Sequence, residues 1–96
     1  MIHQYQNNGY NIVLDVNSGS VHVVDPLAYD VIRVLTEYNP EHTAETLQEK
    51  ETWETLKEQL IGTYPEEDLK DVLEAVTELT REGRLYTKDI YEDFVD

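Results

Sequence analysis

Residues 11–30, with the sequence NIVLDVNSGSVHVVDPLAYD, constrain the fold most strongly, because their apolar spacing changes from that of strands to that of a helix. Apolar residues recur at every second position in 12–16 and again at 21 and 23, as in strands with one buried face. Between these runs, Gly19 permits the positive φ that closes a short hairpin. A strand, a tight turn, a second strand and a helix start are therefore predicted in direct succession.

Asp25 and Pro26 predict where that helix starts. The Asp25 carboxylate can accept a hydrogen bond from a free N–H group of the first turn, and Pro26 lacks a donor that would go unpaired there. The sheet is thus expected to end directly before the helices begin. A strand in this place can leave one edge open to another chain.

Composition excludes several classes of protein. With 96 residues, 40% of them hydrophobic, the chain is predicted to form one domain with one small core. It has no cysteine, which excludes disulfides and thiolate metal sites, and no apolar run approaches the ~20 residues that span a bilayer. Residues 1–10 have neither the basic nor the apolar part of a secretory signal, so the expected location is cytoplasmic.

The charge balance favours basic partners. Seven basic residues stand against twenty-one acidic ones, and the formal net charge is −14. Nucleic acid and anionic membrane surfaces would repel such a chain, so neither is an expected partner. A basic peptide would be attracted, chiefly through faster encounter, although acidity that serves only solubility explains the same composition.

The order of elements predicts an α+β fold with a three-stranded antiparallel sheet followed by three helices. The strands are expected at Ile2–Gln6, Tyr10–Val16 and Ser20–Asp25, and the helices at Pro26–Tyr38, at residues 43–62 with a break near Lys50 and Glu51, and at residues 66–82. Thr63, at capping-box spacing from Glu66, and Tyr64 are alternative caps of the last helix. Leu85 and Tyr86 are expected to form a short extended exit. This plan is that of a winged helix-turn-helix domain.

The alternation also predicts which strand residues share a face. If Val16 and Val21 are neighbours across the hairpin, one face carries Ile12, Leu14, Val16, Val21 and Val23. His22 and Val24 then lie on the other face. A one-residue slip in register would exchange the two faces.

The third predicted helix is amphipathic, with acidic residues sorted to one side. At helical spacing the apolar stripe consists of Leu69, Val72, Leu73, Val76 and Leu79. One flank carries Asp71, Ala75, Glu78 and Glu82, and the other carries Lys70, Thr77 and Arg81. If the acidic flank borders the open edge of the third strand, the two form a groove suited to an extended, lysine-bearing peptide. The simpler alternative is a solvated helix face.

Two other functions are disfavoured by the sequence. Residues 66–82 contain seven acidic and two basic residues, so a DNA major groove would repel this helix. A winged helix that has lost DNA binding and serves as an interaction domain remains an alternative. His3, His22 and His42 are scattered, without the spacing of a metal site, and no catalytic residues are expected.

Three segments resemble one family: NIVLDVNSGSVHVVD, PLAYDVI, and TYPEEDLKDVLEAVTELTREGRLYTKDIYED. They are similar to the N-terminal domain of radical S-adenosylmethionine (SAM) enzymes that form thioethers in SCIFF peptides, which are cysteine-rich ribosomal peptides. That domain is a RiPP recognition element, similar to PqqD of pyrroloquinoline quinone biosynthesis. The resemblance implies a winged helix-turn-helix fold that binds the leader segment of a precursor peptide. The leader adds as a strand beside the third strand and packs on the third helix.

The resemblance also implies a site and its partners. The peptide-binding residues would be Ser20, Val21, His22, Val23, Val24 and Asp25 in the strand, and Asp71, Val72, Ala75, Glu78, Leu79 and Glu82 in the helix. The expected partners are a lysine-rich leader and the enzyme's own catalytic domain. S-adenosylmethionine and iron–sulfur clusters would belong to that catalytic domain, because the CxxxCxxC motif is absent here, and no cofactor is expected in this one.

The domain organisation follows from the same resemblance. Residues 1–86 would be the peptide-recognition domain, which is not itself an enzyme, and residues 87–96 an acidic linker toward the radical SAM domain. The alternative function is a structural or oligomerising module of a larger enzyme that binds no leader.

Overall fold

The computed structural model describes residues 1–87. Within them lie three strands and four helices: β1 (Ile2–Asn7), β2 (Tyr10–Asp15), β3 (Ser20–Val24), α1 (Pro26–Tyr38), α2 (Ala44–Leu47), α3 (Lys50–Leu60) and α4 (Glu66–Arg81). The strands form one antiparallel sheet in the order β1-β2-β3. The predicted α+β class, with a three-stranded antiparallel sheet ahead of the helices, is confirmed. The second predicted helical region, residues 43–62, is divided into two helices, which brings the number of helices in residues 1–87 to four.

Both hairpins close on residues with positive φ. Asn8 and Gly9 have φ of 53° and 83°, the two-residue turn that matches the twist of a sheet, and Gly19 has φ of 74°. Asp25 and Pro26 start α1 as predicted, and an Asp25 carboxylate oxygen accepts a 2.8 Å hydrogen bond from the Ala28 N–H.

The apolar strand residues that were predicted to share a face lie on the outer face of the sheet, not on the face that packs on the core. The predicted pairing of Val16 with Val21 is wrong, because β2 ends at Asp15 and Val21 pairs with Leu14. Ile12 pairs with Val23, so Ile12, Leu14, Val21 and Val23 do share a face. That face points to solvent, whereas the face toward α1 carries Val13, which is fully buried. The alternation in the sequence does not show which of the two faces is buried, because both faces of β2 and β3 carry branched aliphatic residues.

Between α1 and α4, the chain makes two helices where one helical region was predicted. The break lies at Gln48 and Glu49, slightly before the predicted position. The predicted caps of α4 are wrong: Pro65 holds the N-cap position and no side chain caps the helix. The N–H groups of Thr63 and Tyr64 instead bond to the Leu60 carbonyl and continue the end of α3.

The segment after α4 returns to the core. Leu85 is fully buried and Tyr86 is 7% exposed, and the backbone bends at both residues, so the prediction of an extended exit is wrong. Tyr86 has a left-handed φ of 53°, and its hydroxyl lies 2.7 Å from Thr36 Oγ1. Thr87 bonds to Asp15 in β2, which fastens the end of the described chain to the sheet. Residues 88–96 of the predicted linker lie outside the described residues.

Candidate peptide-binding groove

The strand β3 lies at an open edge of the sheet. It pairs with β2 on one side, and in residues 1–87 no backbone group of Ser20–Val24 bonds to the backbone of a further strand or loop on the other side. In an edge strand, about half of the N–H and C=O groups point away from the sheet and can pair with an added chain. The predicted strand residues therefore form a template for a fourth strand.

The side chains of β3 divide between two environments. Ser20, His22 and Val24 point to the core side and are half-buried, whereas Val21 and Val23 are 60% and 64% exposed on the opposite face. An added strand would alternate in the same way, with one set of side chains toward the helices and the other toward solvent.

A hydrogen-bonded bridge joins β3 to the C-terminal end of α4. His22 Nε2 lies 2.9 Å from the Arg84 carbonyl oxygen, and since that oxygen only accepts, the ring nitrogen donates. The Arg84 N–H in turn donates to the Leu79 carbonyl at 2.9 Å. Leu79 and His22 are thus held at the same end of the candidate groove. Arg84 was missed by sequence reasoning, because a main-chain acceptor leaves no local signal in the sequence.

The helix α4 and its C-cap residue carry the other six predicted site residues. Val72 and Leu79 are half-buried and pack against the hydrophobic core, to which Val24 of β3 also packs. In residues 1–87, no Cα atom of β3 lies within 8 Å of one in α4. The predicted strand and helix residues therefore share a core, but the structure does not bring β3 and α4 into direct contact.

The predicted acidic flank of α4 is exposed along its length, and its members are Asp71, Ala75, Glu78 and Glu82. Glu78 accepts a 2.6 Å hydrogen bond from Arg81, and Glu82 lies 3.8 Å from Arg84. Both pairs are solvent-exposed, and such pairs contribute little to stability. A lysine of a bound peptide can therefore compete with either arginine at small cost.

Asp25 has a structural role at this site. Its carboxylate is engaged by the Ala28 N–H as the cap of α1. It remains exposed beside the end of β3, so one oxygen can still face a ligand. The strand set and the helix set of the twelve predicted residues lie on elements that are not neighbours, and Asp25 joins β3 to α1.

Among residues 1–87, no three His, Cys, Asp or Glu side chains come together in a way that would hold a metal ion. None of the helices there is both long and apolar enough to cross a bilayer. His42 is buried, and it bonds to the Leu35 carbonyl and the Thr46 hydroxyl rather than facing a cavity.

Comparison with known proteins adds no family assignment: no protein-family model matches the chain, and a search of curated proteins finds no match.

Proposed function

We propose that this chain binds the leader segment of a ribosomally made precursor peptide by strand addition to β3. The observation that carries the proposal is the open β3 edge, bridged through Arg84 to a helix whose exposed flank is acidic. Backbone pairing would supply affinity independent of sequence, and the margin formed by α4 would select side chains.

Charge supports a lysine-rich partner. The chain carries a net charge of −14, and three carboxylates lie on the exposed flank of α4 at Asp71, Glu78 and Glu82. A basic peptide would be drawn toward this surface before it docks. Because an extended leader must be ordered on binding, we expect a dissociation constant on the order of micromolar.

The resemblance to RiPP recognition elements of the PqqD type supports the same proposal. On that basis the chain delivers the leader to a thioether-forming radical SAM maturase in the cytoplasm. S-adenosylmethionine and iron–sulfur chemistry would belong to the catalytic domain of that enzyme. This chain's own part would be binding, not catalysis.

The test is a heteronuclear NMR titration of the full chain with a lysine-rich leader peptide. Shifts concentrated at residues 20–25 and 71–82 are expected, together with slower amide exchange in β3. A peptide in which glutamine replaces every lysine should bind at least about tenfold more weakly, because it loses the attraction to the acidic flank. No shifts at about 1 mM peptide would overturn the proposal.

A matched pair of variants locates the site. Ala75→Arg places a large cation on the exposed flank of α4, and we expect it to weaken leader binding about tenfold or more through repulsion and bulk. Gln59→Arg makes the same addition on the exposed surface of α3 and should bind like the unchanged chain. Equal affinity of both variants would contradict the placement of the peptide beside α4.

A further inference from the structure

The outward face of the sheet is an apolar surface in an otherwise acidic molecule. Its apolar members, which the register places side by side, are Tyr5, Tyr10, Ile12, Leu14, Val21 and Val23. The other two positions of this outer face are a histidine and an asparagine at its β1 margin. None of the strand positions on this face is an Asp, Glu, Lys or Arg.

No element of residues 1–87 covers the outer face. The helix α1 and the segment after α4 pack on the opposite side, as the 2.8 Å bond from Gln4 Nε2 to the Tyr29 carbonyl and the bonds from Thr87 to Asp15 show. Tyr10 and Val21 are each 60% exposed. Contiguous apolar surface of this kind on a small domain marks an interaction site.

The charge pattern indicates what covers it. A basic partner would be drawn to the carboxylates elsewhere, since this face offers none. The fitting partner is a flat, apolar surface without charge, and the outer face of a second copy is such a surface. Stacked face to face, two sheets lie about 10 Å apart with their side chains interdigitated. The acidic helices of both copies would then point away from each other.

We propose that two copies of this chain associate through their outer faces in a symmetric dimer. The total area buried would be on the order of 1,000 Å², the lower limit for a specific interface, so the dimer would be weak. Face-to-face stacking leaves the β3 edge open, and the dimer therefore does not depend on the proposed peptide binding.

The test is sedimentation equilibrium of the full chain from about 10 µM to about 1 mM, where a weak dimer becomes populated. We expect the mass to rise toward twice that of the 11.2 kDa chain. Because two chains of charge −14 repel each other, association should strengthen several-fold as salt rises from about 0.05 M to about 0.5 M. An interface made of ion pairs would weaken instead, and that result would overturn the proposal.

Three variants that each add one carboxylate test where the dimer interface lies. Val21→Glu and Tyr5→Glu each put a carboxylate on the outer face, one in β3 and one in the opposite edge strand β1, and each should weaken the dimer at least about tenfold. Gln59→Glu adds the same charge on α3 and should dimerise like the unchanged chain. A chain that stays monomeric at about 1 mM overturns the proposal and leaves the face to a different protein. A dimer that responds to Val21→Glu but not to Tyr5→Glu also overturns it, in favour of pairing between β3 edges.

Discussion

The structural role of Asp15 could not be predicted from the neighbouring residues in the sequence. It is fully buried with no cation beside it in residues 1–87. Its oxygens accept from the Thr87 N–H at 3.0 Å, from the Thr87 hydroxyl at 2.8 Å and from the Asn17 N–H at 3.1 Å. Hydrogen bonds to dipoles, not an ion pair, stabilise this buried carboxylate.

Asp15→Asn should therefore be more destabilising than its small change in shape suggests. An amide has one accepting oxygen, so its NH₂ group would face either the Thr87 or the Asn17 N–H and leave that donor unpaired. We expect a loss of about 1–3 kcal/mol in the free energy of unfolding, measured in urea. Asp71→Asn makes the same charge change at an exposed site and should alter stability by less than about 0.5 kcal/mol. Equal effects of the two variants would argue against this account of Asp15.

His42 is the second buried polar residue with a defined role. It is 1% exposed, and its Nε2 lies 3.0 Å from the Leu35 carbonyl, to which it must donate. The neutral ring then leaves Nδ1 to accept from the Thr46 hydroxyl at 2.9 Å. Burial lowers the pKa of His42 below its ordinary 6.5, because the charged ring would lose its hydration.

The lowered pKa of His42 predicts that the fold weakens as the medium becomes acidic. Above pH 6.5 both the folded and unfolded chains hold a neutral ring; below it, the unfolded chain takes up the proton first. The free energy of unfolding should thus fall as pH drops from 6.5 toward the folded pKa. The measurement is urea unfolding between pH 7.5 and 5.5 for the unchanged chain and for His42→Gln, which should show a flatter profile. His3→Gln, at an exposed position, is the control and should keep the full slope.

At the scale of elements, Asp25 lies where α1 begins and where the candidate groove ends. Asp25→Ala should cost about 1 kcal/mol of folding stability, because the Ala28 N–H loses its acceptor, whereas Asp25→Ser keeps a capping oxygen. Thermal unfolding of both variants checks this expectation. If the Asp25 carboxylate also attracts a basic peptide, both variants should bind it more weakly. Loss of binding in Asp25→Ala alone would show that only the cap matters.

The strands, both turns and α1 could be predicted because their signals are local. Asn8-Gly9, Gly19 and the pair Asp25-Pro26 each determine backbone geometry within a few residues. The core face of the sheet could not be predicted, because Val13 and Val21 are equally apolar and alternation alone does not say which side is covered.

Long-range contacts account for the remaining differences in the elements. Leu85 and Thr87 complete the core and the Asp15 site, but their partners lie far away in the sequence, so an extended exit was the local prediction. In the candidate groove, the exposed acidic flank follows from helical periodicity. The His22–Arg84–Leu79 bridge does not, since two of its three groups are main-chain atoms.

At the scale of the whole molecule, the excess of acidic residues opposes folding. The 96-residue chain carries a net charge of −14, and α4 alone begins with Glu66, Glu67 and Asp68. The negative charges of those three residues interact favourably with the positive N-terminal end of the helix dipole, which stabilises α4. The same charges repel the other carboxylates of the folded domain. Six ion pairs within residues 1–87, each with at least one solvent-exposed partner, offset little of this repulsion.

Salt should therefore stabilise the folded chain. Raising NaCl from about 10 mM to about 150 mM shortens the Debye length from roughly 30 Å to about 8 Å, which screens most of the repulsion across the domain. We expect the urea midpoint to rise mainly within that range and to level off above it. The protein should be kept at about 5 µM, where a weak dimer is not populated, because dimerisation would also raise the midpoint with salt. The double variant Glu67→Gln, Glu74→Gln, which removes two exposed charges, should gain less from salt than the unchanged chain. An equal gain would mean that salt acts through apolar burial and that charge repulsion contributes little to the stability of this fold.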